Sequence, residues 1–408
     1  MTADAFATLD AALREEGPPR ALAAKLRAAF PHDPRAGFFG ALAEALRGGP
    51  FPALGPEGAE GLFWAQIGRL LAARGGPPPP PPPCGPAFDF LGRTEPPPAW
   101  SVLRLINLAL LRERPGRAEA AVVMSARNEG LGLLEWIAHY RALGAAALFV
   151  YANGNDDGSD ALLERLAALG VIRHLRNEVA DAVRPQVKAY EHALNFLPEL
   201  REHRWAFVID ADEFFIPAPR FGLSLAELVA DVERRFAADP PAAVLYNWKF
   251  LGGRAPFAWH DAPALERFRH ARADGQFKSL VRLSAARSLR HLHAPEPWSD
   301  GATFRFSGGK AKSFARIWDF DEIDVSGGFF AHCWTKSFEE FALKKFRTDD
   351  MAGVPGYPTR REFAQFFDCS VPARADNREP LPQRLLRRVR AEMARLREDS
   401  AVRAAERE

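Results

Sequence analysis

Cysteine is scarce in this chain: Cys84, Cys333 and Cys369 are the only three, far apart and without a C-x-x-C pair. That pattern argues against a disulfide framework and a structural zinc, and it suggests a reducing compartment. An excess of one charge sign is missing too. The 54 Lys and Arg nearly balance 52 Asp and Glu, leaving a formal net charge of +2. No global field therefore argues for nucleic acid or for an acidic partner. No apolar stretch reaches the ~18 residues that a membrane-spanning helix needs. The start, Met1-Thr2-Ala3-Asp4-Ala5, shows no basic region followed by an apolar core, so no secretory signal is visible and the expected location is cytoplasmic. There is no G-x-G-x-x-G and no Walker lysine, which leaves a dinucleotide or ATP phosphate loop unsupported.

With 47% hydrophobic and 26% charged residues the composition is that of a globular protein, long enough for one large domain and an accessory piece. Leu9, Leu13, Leu22, Leu26, Phe30, Leu42, Leu46, Phe63, Ile67 and Leu71 recur at helical intervals. They predict a small α-helical N-terminal module over residues 1–75, broken at Gly17-Pro18-Pro19, Pro31 to Pro34 and Gly49-Pro50. Gly75-Gly76 and the run Pro77 to Pro83 predict an extended polyproline spacer opening a connecting segment, residues 76–117. Over residues 118–350 strands alternate with helices: Ala120 to Met124, Ala147 to Tyr151, Val171 to Leu175 and Trp205 to Ile209 are the first four strands. This order predicts an α/β domain with a doubly wound, mostly parallel sheet. Later strands are expected at Ala243 to Leu251, Phe277 to Leu283, Leu289 to His293, Phe304 to Phe306 and Gly327 to Trp334. Capping boxes Ser224/Glu227 and Ser337/Glu340 open two further helices. Residues 351–408 form an extension ending in a basic amphipathic helix, with Leu385, Val389, Met393 and Leu396 on one side and arginines elsewhere. Its arginines would allow peripheral contact with anionic lipid at the inner face of a membrane, against the plainer reading of a helix packed on the domain.

The chemistry concentrates where the fourth strand ends. Val208-Ile209-Asp210-Ala211-Asp212-Glu213-Phe214-Phe215 leaves an apolar strand for three carboxylates in four positions. Such a cluster is costly unless it faces a cavity or a cation. If strand geometry persisted, Asp210 and Asp212 would point the same way, as hard oxygen ligands for Mn2+ or Mg2+. In a parallel sheet the loops Ser125 to Gly130, Ala152 to Ser159 and Asp210 to Phe215 share the rim where a nucleotide would lie. Asn128, Asn153, Asn155, Asp156 and Asp157 offer hydrogen bonds to a base and ribose.

Together these motifs resemble the glycosyltransferase family 2 superfamily with its GT-A fold, in the branch carrying N-E-x-x-x-L-x-E-W-x-x-H-Y-x-x-x-G, D-N-G-S-x-D-G-T and D-x-D-E-F. Here they stand as Asn128-Glu129, Leu133, Glu135-Trp136, His139-Tyr140 and Gly144; Ala152 to Ser159; and Asp210 to Phe214. His332 to Phe341 looks like the branch's H-Y-x-x-K-S helix entry, and Lys278-Ser279 and His291/His293 match loosely. The second motif departs at its head, where Ala152 replaces the usual acid. The resemblance implies a metal-dependent, inverting transfer from a nucleotide-sugar donor, a UDP-sugar foremost, to a glycan, lipid or protein acceptor. It implies a metal held by Asp210, Asp212 and His332, and donor contacts from Asn128, Glu129, Asn153, Asp156, Asp157, Gln186, Lys188, Asp210 and Lys336. Glu213, Asp274 and Asp321 are the carboxylates put forward as general base, with Glu266 and Asp319 of the right type. Aromatic residues before His332, including Trp248, Trp298 and Trp318, suit a sugar ring as well as a core. Two other classes remain open: a nucleotidyltransferase, and a binding protein that kept the fold without catalysis.

Overall fold

The computed structural model describes residues 116–177, 184–252, 257–297, 301–347 and 363–407. The expected N-terminal helices, the proline spacer and Trp298 lie outside the described residues. In chain order the elements are β1 (Arg117–Ala126), α1 (Gly130–Ala142), β2 (Leu148–Ala152), α2 (Ser159–Ala168), β3 (Arg173–Arg176) and α3 (Pro185–Phe196). Next come β4 (His203–Ile209), β5 (Glu213–Pro217), α4 (Leu225–Arg235), β6 (Ala243–Gly252), the single turn α5 (Ala264–Arg267) and β7 (His270–Arg282). Short strands β8 (Ala286–Ser288), β9 (Glu296–Pro297), β10 (Thr303–Phe306) and β11 (Ala311–Ser313) precede β12 (Gly328–His332). The chain closes with α6 (Phe338–Arg347), α7 (Phe363–Cys369), α8 (Gln383–Leu396) and α9 (Ser400–Ala405).

The main sheet runs β11-β10-β6-β7-β4-β1-β2-β3, with β12 pairing both β5 and β6. β1 to β4 are mutually parallel where they pair, and β7 is antiparallel to β4 and β6. This is the mixed α/β fold with a mostly parallel central sheet that the alternation predicts. β1 illustrates why an unbroken apolar run is required. Ala120, Val122, Met124 and Ala126 enter one core with α1, α2, α4 and α8, while Ala121 and Val123 enter the other with Ala189, Tyr190, Ala193 and Leu194 of α3. A strand covered on both faces has no solvent side on which to place polar residues.

Register then fixes the rim. Ala126 pairs with Ala152 and Met124 with Ile209, so β1, β2 and β4 end level and their following loops lie side by side. β7 descends between β4 and β6, pairing Leu280 with Phe207 and Lys278 with Tyr246, which carries Lys278 to the same edge.

One expectation is corrected here. Leu289 to His293 is not a strand. Its carbonyls are taken by side chains of β7 instead: Lys278 Nζ donates to Leu292 O (3.3 Å) and Ser279 Oγ to His293 O (2.5 Å), while the His293 ring bonds Phe277 O (2.8 Å). The amphipathic tail helix packs on the domain, the plainer of its two readings. Leu385, Leu386, Val389, Met393 and Leu396 of α8 are buried in the main core, and Arg141 of α1 pairs with Glu392 at 2.5 Å. Arg390, on the exposed side, pairs with Glu266. Both capping boxes are read correctly at the backbone: Glu227 N and Glu340 N donate to Ser224 Oγ and Ser337 Oγ.

Leu385 has no exposed surface, so Leu385→Ala should destabilise the domain by about 2–5 kcal/mol through a cavity beneath α1. Arg387→Ala, on the solvent side, should stay within about 0.5 kcal/mol. Urea denaturation of the two variants measures the difference.

Candidate active site

The acidic turn occupies the space between two strands that leave the sheet in opposite senses. β4 ends at Ile209, the chain turns over Asp210-Ala211-Asp212, and β5 returns antiparallel to β12. His332 is the register partner of Glu213 on that ladder, and Cys333 N donates to Asp212 O at 2.9 Å. This pairing brings the Asp212 carboxylate to His332, with Oδ1 3.4 Å from Nε2 and Lys344 Nζ 3.4 Å from Oδ2. Burial alone would raise Asp212, but Lys344, His332 and Lys336 together hold it well below the usual carboxylate range.

Asp210 lives in a different environment from Asp212, because the strand geometry that would align them stops at Ile209. Its Oδ1 accepts from Gln186 Nε2 (2.9 Å) and its Oδ2 from Lys278 Nζ (2.8 Å). Lys278 is fully buried and lies 3.6 Å from Glu213 as well. Desolvation would lower this lysine, yet Asp210 and Glu213 outweigh it and hold the ammonium charged. Glu213 is also fully buried. Its Oε2 accepts from Asp210 N at 2.9 Å, and burial drives it well above the usual carboxylate range, against the pull of Lys278. Glu213, put forward as a general base, therefore braces the turn and has no surface to offer an acceptor.

The two loops beside the turn are stitched to each other. Asn128 N donates to Asn155 Oδ1, Asp156 N to Asn128 Oδ1 and Gly130 N to Asp157 Oδ2, each at 2.9 Å. Asp157 also accepts from Ser159, so its carboxylate holds the loop rather than facing outward, while Asp156 is exposed. Gly158, at φ 81°, supplies the left-handed residue that opens α2. Glu129 joins this pair of loops to the acidic turn, contacting Lys344 and, at 3.5 Å, Lys336. Lys336 itself holds φ 49°, a left-handed conformation uncommon for a residue with a Cβ. Its buried ammonium loses to desolvation but gains more from Glu129, Glu340 and Asp212, ending above its ordinary value. Backbone strain at a buried charged residue is a feature of functional sites.

Helix α1 carries the side chains that hold the turn in shape. Trp136 Nε1 donates to Asp210 O (3.1 Å). The His139 Nε2–H donates to Phe215 O (2.9 Å), since a carbonyl can only accept. Tyr140 OH donates to Glu213 O and accepts from Phe215 N, both at 3.0 Å. Glu135 reaches the other way and accepts from Ala264 N (2.7 Å) and Leu265 N (3.4 Å). Every residue of Glu135-Trp136-x-x-His139-Tyr140 is thus a clamp.

Of the remaining sequence-predicted residues, Asn153 is buried beside the paired loops. Lys188 is buried on α3, close enough to His192 to help depress it. Asp274 bends the start of β7 by accepting from Gln276 N, and exposed Asp321 faces Arg316 and Lys312. Glu266 is tied to Arg390, and Asp319 to Arg316. Sequence reasoning missed Lys344 as a partner of Asp212 and gave Lys278 no role, since a lysine at the seventh position of a helix or midway along a strand carries no local mark of what it will face.

A divalent cation at this turn would take Asp212 and His332 as protein ligands. Their 3.4 Å separation is close to the roughly 3 Å between neighbouring ligands of an octahedral ion bound at about 2.1 Å. Among the described residues no three His, Cys, Asp or Glu side chains group tightly enough to enclose a metal. The other positions would fall to substrate oxygens and water, the arrangement Mg2+ favours. Asp210, expected as a further ligand, has both oxygens engaged by Gln186 and Lys278.

The clamp has a pH signature. Burial pushes His139 down to about 4, opposed by its bond to Phe215. A folded value below the unfolded ~6.5 means that stability is fully present above that pH. It is lost as pH falls toward the folded value, by on the order of 3 kcal/mol from this group. Thermal unfolding from pH 7 to pH 4 should show a steep loss, and His139→Gln should flatten part of it.

Residues 126–317 match the model of glycosyltransferase family 92. A glycosyltransferase family 92 protein of Ricinus communis is 32% identical over 114 residues, covering 27% of this chain. The chain spans only 19% of that relative's length. These matches correct the resemblance to family 2 drawn from the motifs: family 92 is a distinct family, and the N-E, E-W-x-x-H-Y and Asp-Ala-Asp motifs all lie inside the matched segment. The segment that contains the paired loops, the acidic turn and its clamp is similar to glycosyltransferase family 92.

Proposed function

We propose that this chain is a metal-dependent glycosyltransferase of GT-A architecture, moving a sugar with inversion from a nucleoside-diphosphate sugar, a UDP-sugar foremost, to a glycan, lipid or protein acceptor. The observation that carries the reading is the Asp212–His332 pair, 3.4 Å apart, at the carboxyl edge of a mostly parallel sheet beside two stitched loops. Ligands of open α/β sheets gather at that edge. The similarity to glycosyltransferase family 92 over residues 126–317 supports the same class.

In this reading Asp212 and His332 hold Mn2+ or Mg2+, and the ion takes up negative charge from the leaving diphosphate. Lys336 and Lys344 add positive charge beside it, both oriented by Glu129. Asn128, Asn153 and Asp156 lie on the neighbouring loops, where a nucleoside would be bound. Lys278 keeps Asp210 and the turn in place from below. With Glu213 sealed inside, the general-base role passes to Asp274 or Asp321, toward the acceptor side.

Release of UDP from a panel of UDP-sugars, with Mn2+ and with EDTA, tests the proposal. Mn2+-dependent release is expected. Asp212→Asn, which keeps the side chain's size, should lower it about 10²–10³-fold, the usual cost of losing one charge-stabilising group. Release unaffected by EDTA or by Asp212→Asn would overturn the assignment of the site. A binding protein without catalysis would release no UDP.

A further inference from the structure

The loop between β11 and β12 combines two properties that rarely occur together: a locked backbone and apolar side chains left in water. Trp318, Phe320 and Ile323 are 42%, 40% and 54% exposed. Exposed rings and branched chains gain nothing from the hydrophobic effect where they stand. A floppy surface turn would explain them cheaply, but this loop is held from beneath. Asn247 of β6, fully buried, donates from Nδ2 to Gly275 O (2.9 Å) and Glu322 O (3.0 Å), and its Oδ1 accepts from Asp324 N (2.8 Å). The Phe320 backbone presses on Gly275 so closely that a Cβ there would stand 1.9 Å from Phe320 O. Lys312 Nζ donates to Asp319 O from the other side.

The rings also connect to the candidate active site. Trp248 packs on His332 with centroids 4.4 Å apart, and His293 lies 5.2 Å from Trp248. His293 in turn stands 6.4 Å from Trp318 and 6.5 Å from Phe320. An unbroken series of rings runs from the Asp212–His332 pair to the exposed loop. Carboxylates of Asp319 and Asp321 alternate with the two exposed aromatic residues along the chain.

We propose that Trp318 and Phe320, whose rings stand at 73° to each other, form a preorganised platform on which a pyranose ring of the acceptor stacks on one ring and abuts the other, with Asp319 and Asp321, held by Arg316, beside it to accept from the sugar's hydroxyl groups. A pyranose has one face of C–H bonds, suited to an aromatic plane, and a rim of hydroxyls suited to carboxylates. An alkyl chain would have no use for the acids or for the Arg316 that pairs with both. Locking the loop in advance reduces the entropy that binding must otherwise overcome. The inference rests on the proposed transferase reading, since it takes the aromatic side of the site as the acceptor side.

The test uses the full chain with Mn2+ and UDP, and methyl pyranosides of glucose, galactose, mannose and N-acetylglucosamine as probes. Saturation-transfer NMR should show contact through the ring protons of at least one pyranoside. Trp318→Ala should weaken that binding about 3- to 10-fold, the range expected for one aromatic stacking contact, and Trp318→Phe should restore most of it. Trp318 also packs on His291, so Trp318→Phe, which keeps a ring there, is the folding control, and its melting temperature should match that of the unmodified chain. No contact by any of these probes, or contact unchanged in both Trp318→Ala and Phe320→Ala, overturns the platform. UDP release by the unmodified chain is measured alongside. Release without pyranoside contact sinks this inference alone, whereas contact without release sinks the transferase reading and leaves the platform standing.

Discussion

A lysine ammonium with no exposed surface, wedged between two carboxylates, is the interaction on which the acidic turn depends. Lys278 lies 2.8 Å from Asp210 and 3.6 Å from Glu213, and nothing of it reaches water. Taking such charges out of solvent costs several kcal/mol each, and the cost is offset only when partners and hydrogen bonds are in place. Here they are: Gln186 and the Asp210 backbone N–H complete the set around the two acids. Without the lysine, Asp210 would lose its cation, and Glu213, already raised by burial, would lose the charge that opposes that rise. The same arithmetic governs Asp212. It is buried but faces Lys344 and His332, so it keeps its charge.

Charge alone does not fix shape, and helix α1 supplies what electrostatics lacks. Its Trp, His and Tyr reach backbone atoms of Asp210, Glu213 and Phe215. Those are main-chain groups at a point where β4 has ended and β5 has begun, so no ladder satisfies them fully. Buried backbone groups must find partners, and α1 provides them from directly across the core. Packing places the helix there, through Leu133, Leu134 and Ile137 against β1 and α8. Fold stability and site geometry are thus coupled through one helix: loosening α1 from its core would release the carboxylates it holds in position.

Much of this was legible before the coordinates. The parallel strands announce themselves because a strand covered on both sides must be apolar throughout, and β1, β2 and β4 were readable within a few residues. The rim of three loops followed from topology alone. The helix boundaries near Ser224 and Ser337 followed from capping chemistry. Less legible were the long-range ion pairs. Lys278 and Lys344 are distant in sequence from the acids they meet, and nothing local distinguishes them from solvated lysines. The irregular path of Leu289 to His293 was hidden for the same reason, since side chains of β7 take its carbonyls. Short motifs in the right order pointed to a sugar-transferring class but to family 2, whereas residues 126–317 match family 92. Spacing constrains a helix-to-turn clamp more tightly than it constrains a family.

The two aspartates of the turn divide their labour for a geometrical reason. Had β4 continued, residues 210 and 212 would have shared a face and competed for one cation. The chain turns instead, and each carboxylate meets a different positive partner: Asp210 the buried Lys278, Asp212 the half-buried Lys344 with His332. A permanent internal cation cannot leave with a product, so it suits the acid that must stay fixed. Lys344, less deeply buried than Lys278, can yield to a diphosphate-bound ion, because its long stem lets its head move while its backbone stays in α6. Asp210 is thereby tied to a fixed cation and Asp212 to one on a movable stem, so a turn of three residues can both anchor a strand end and present a ligand.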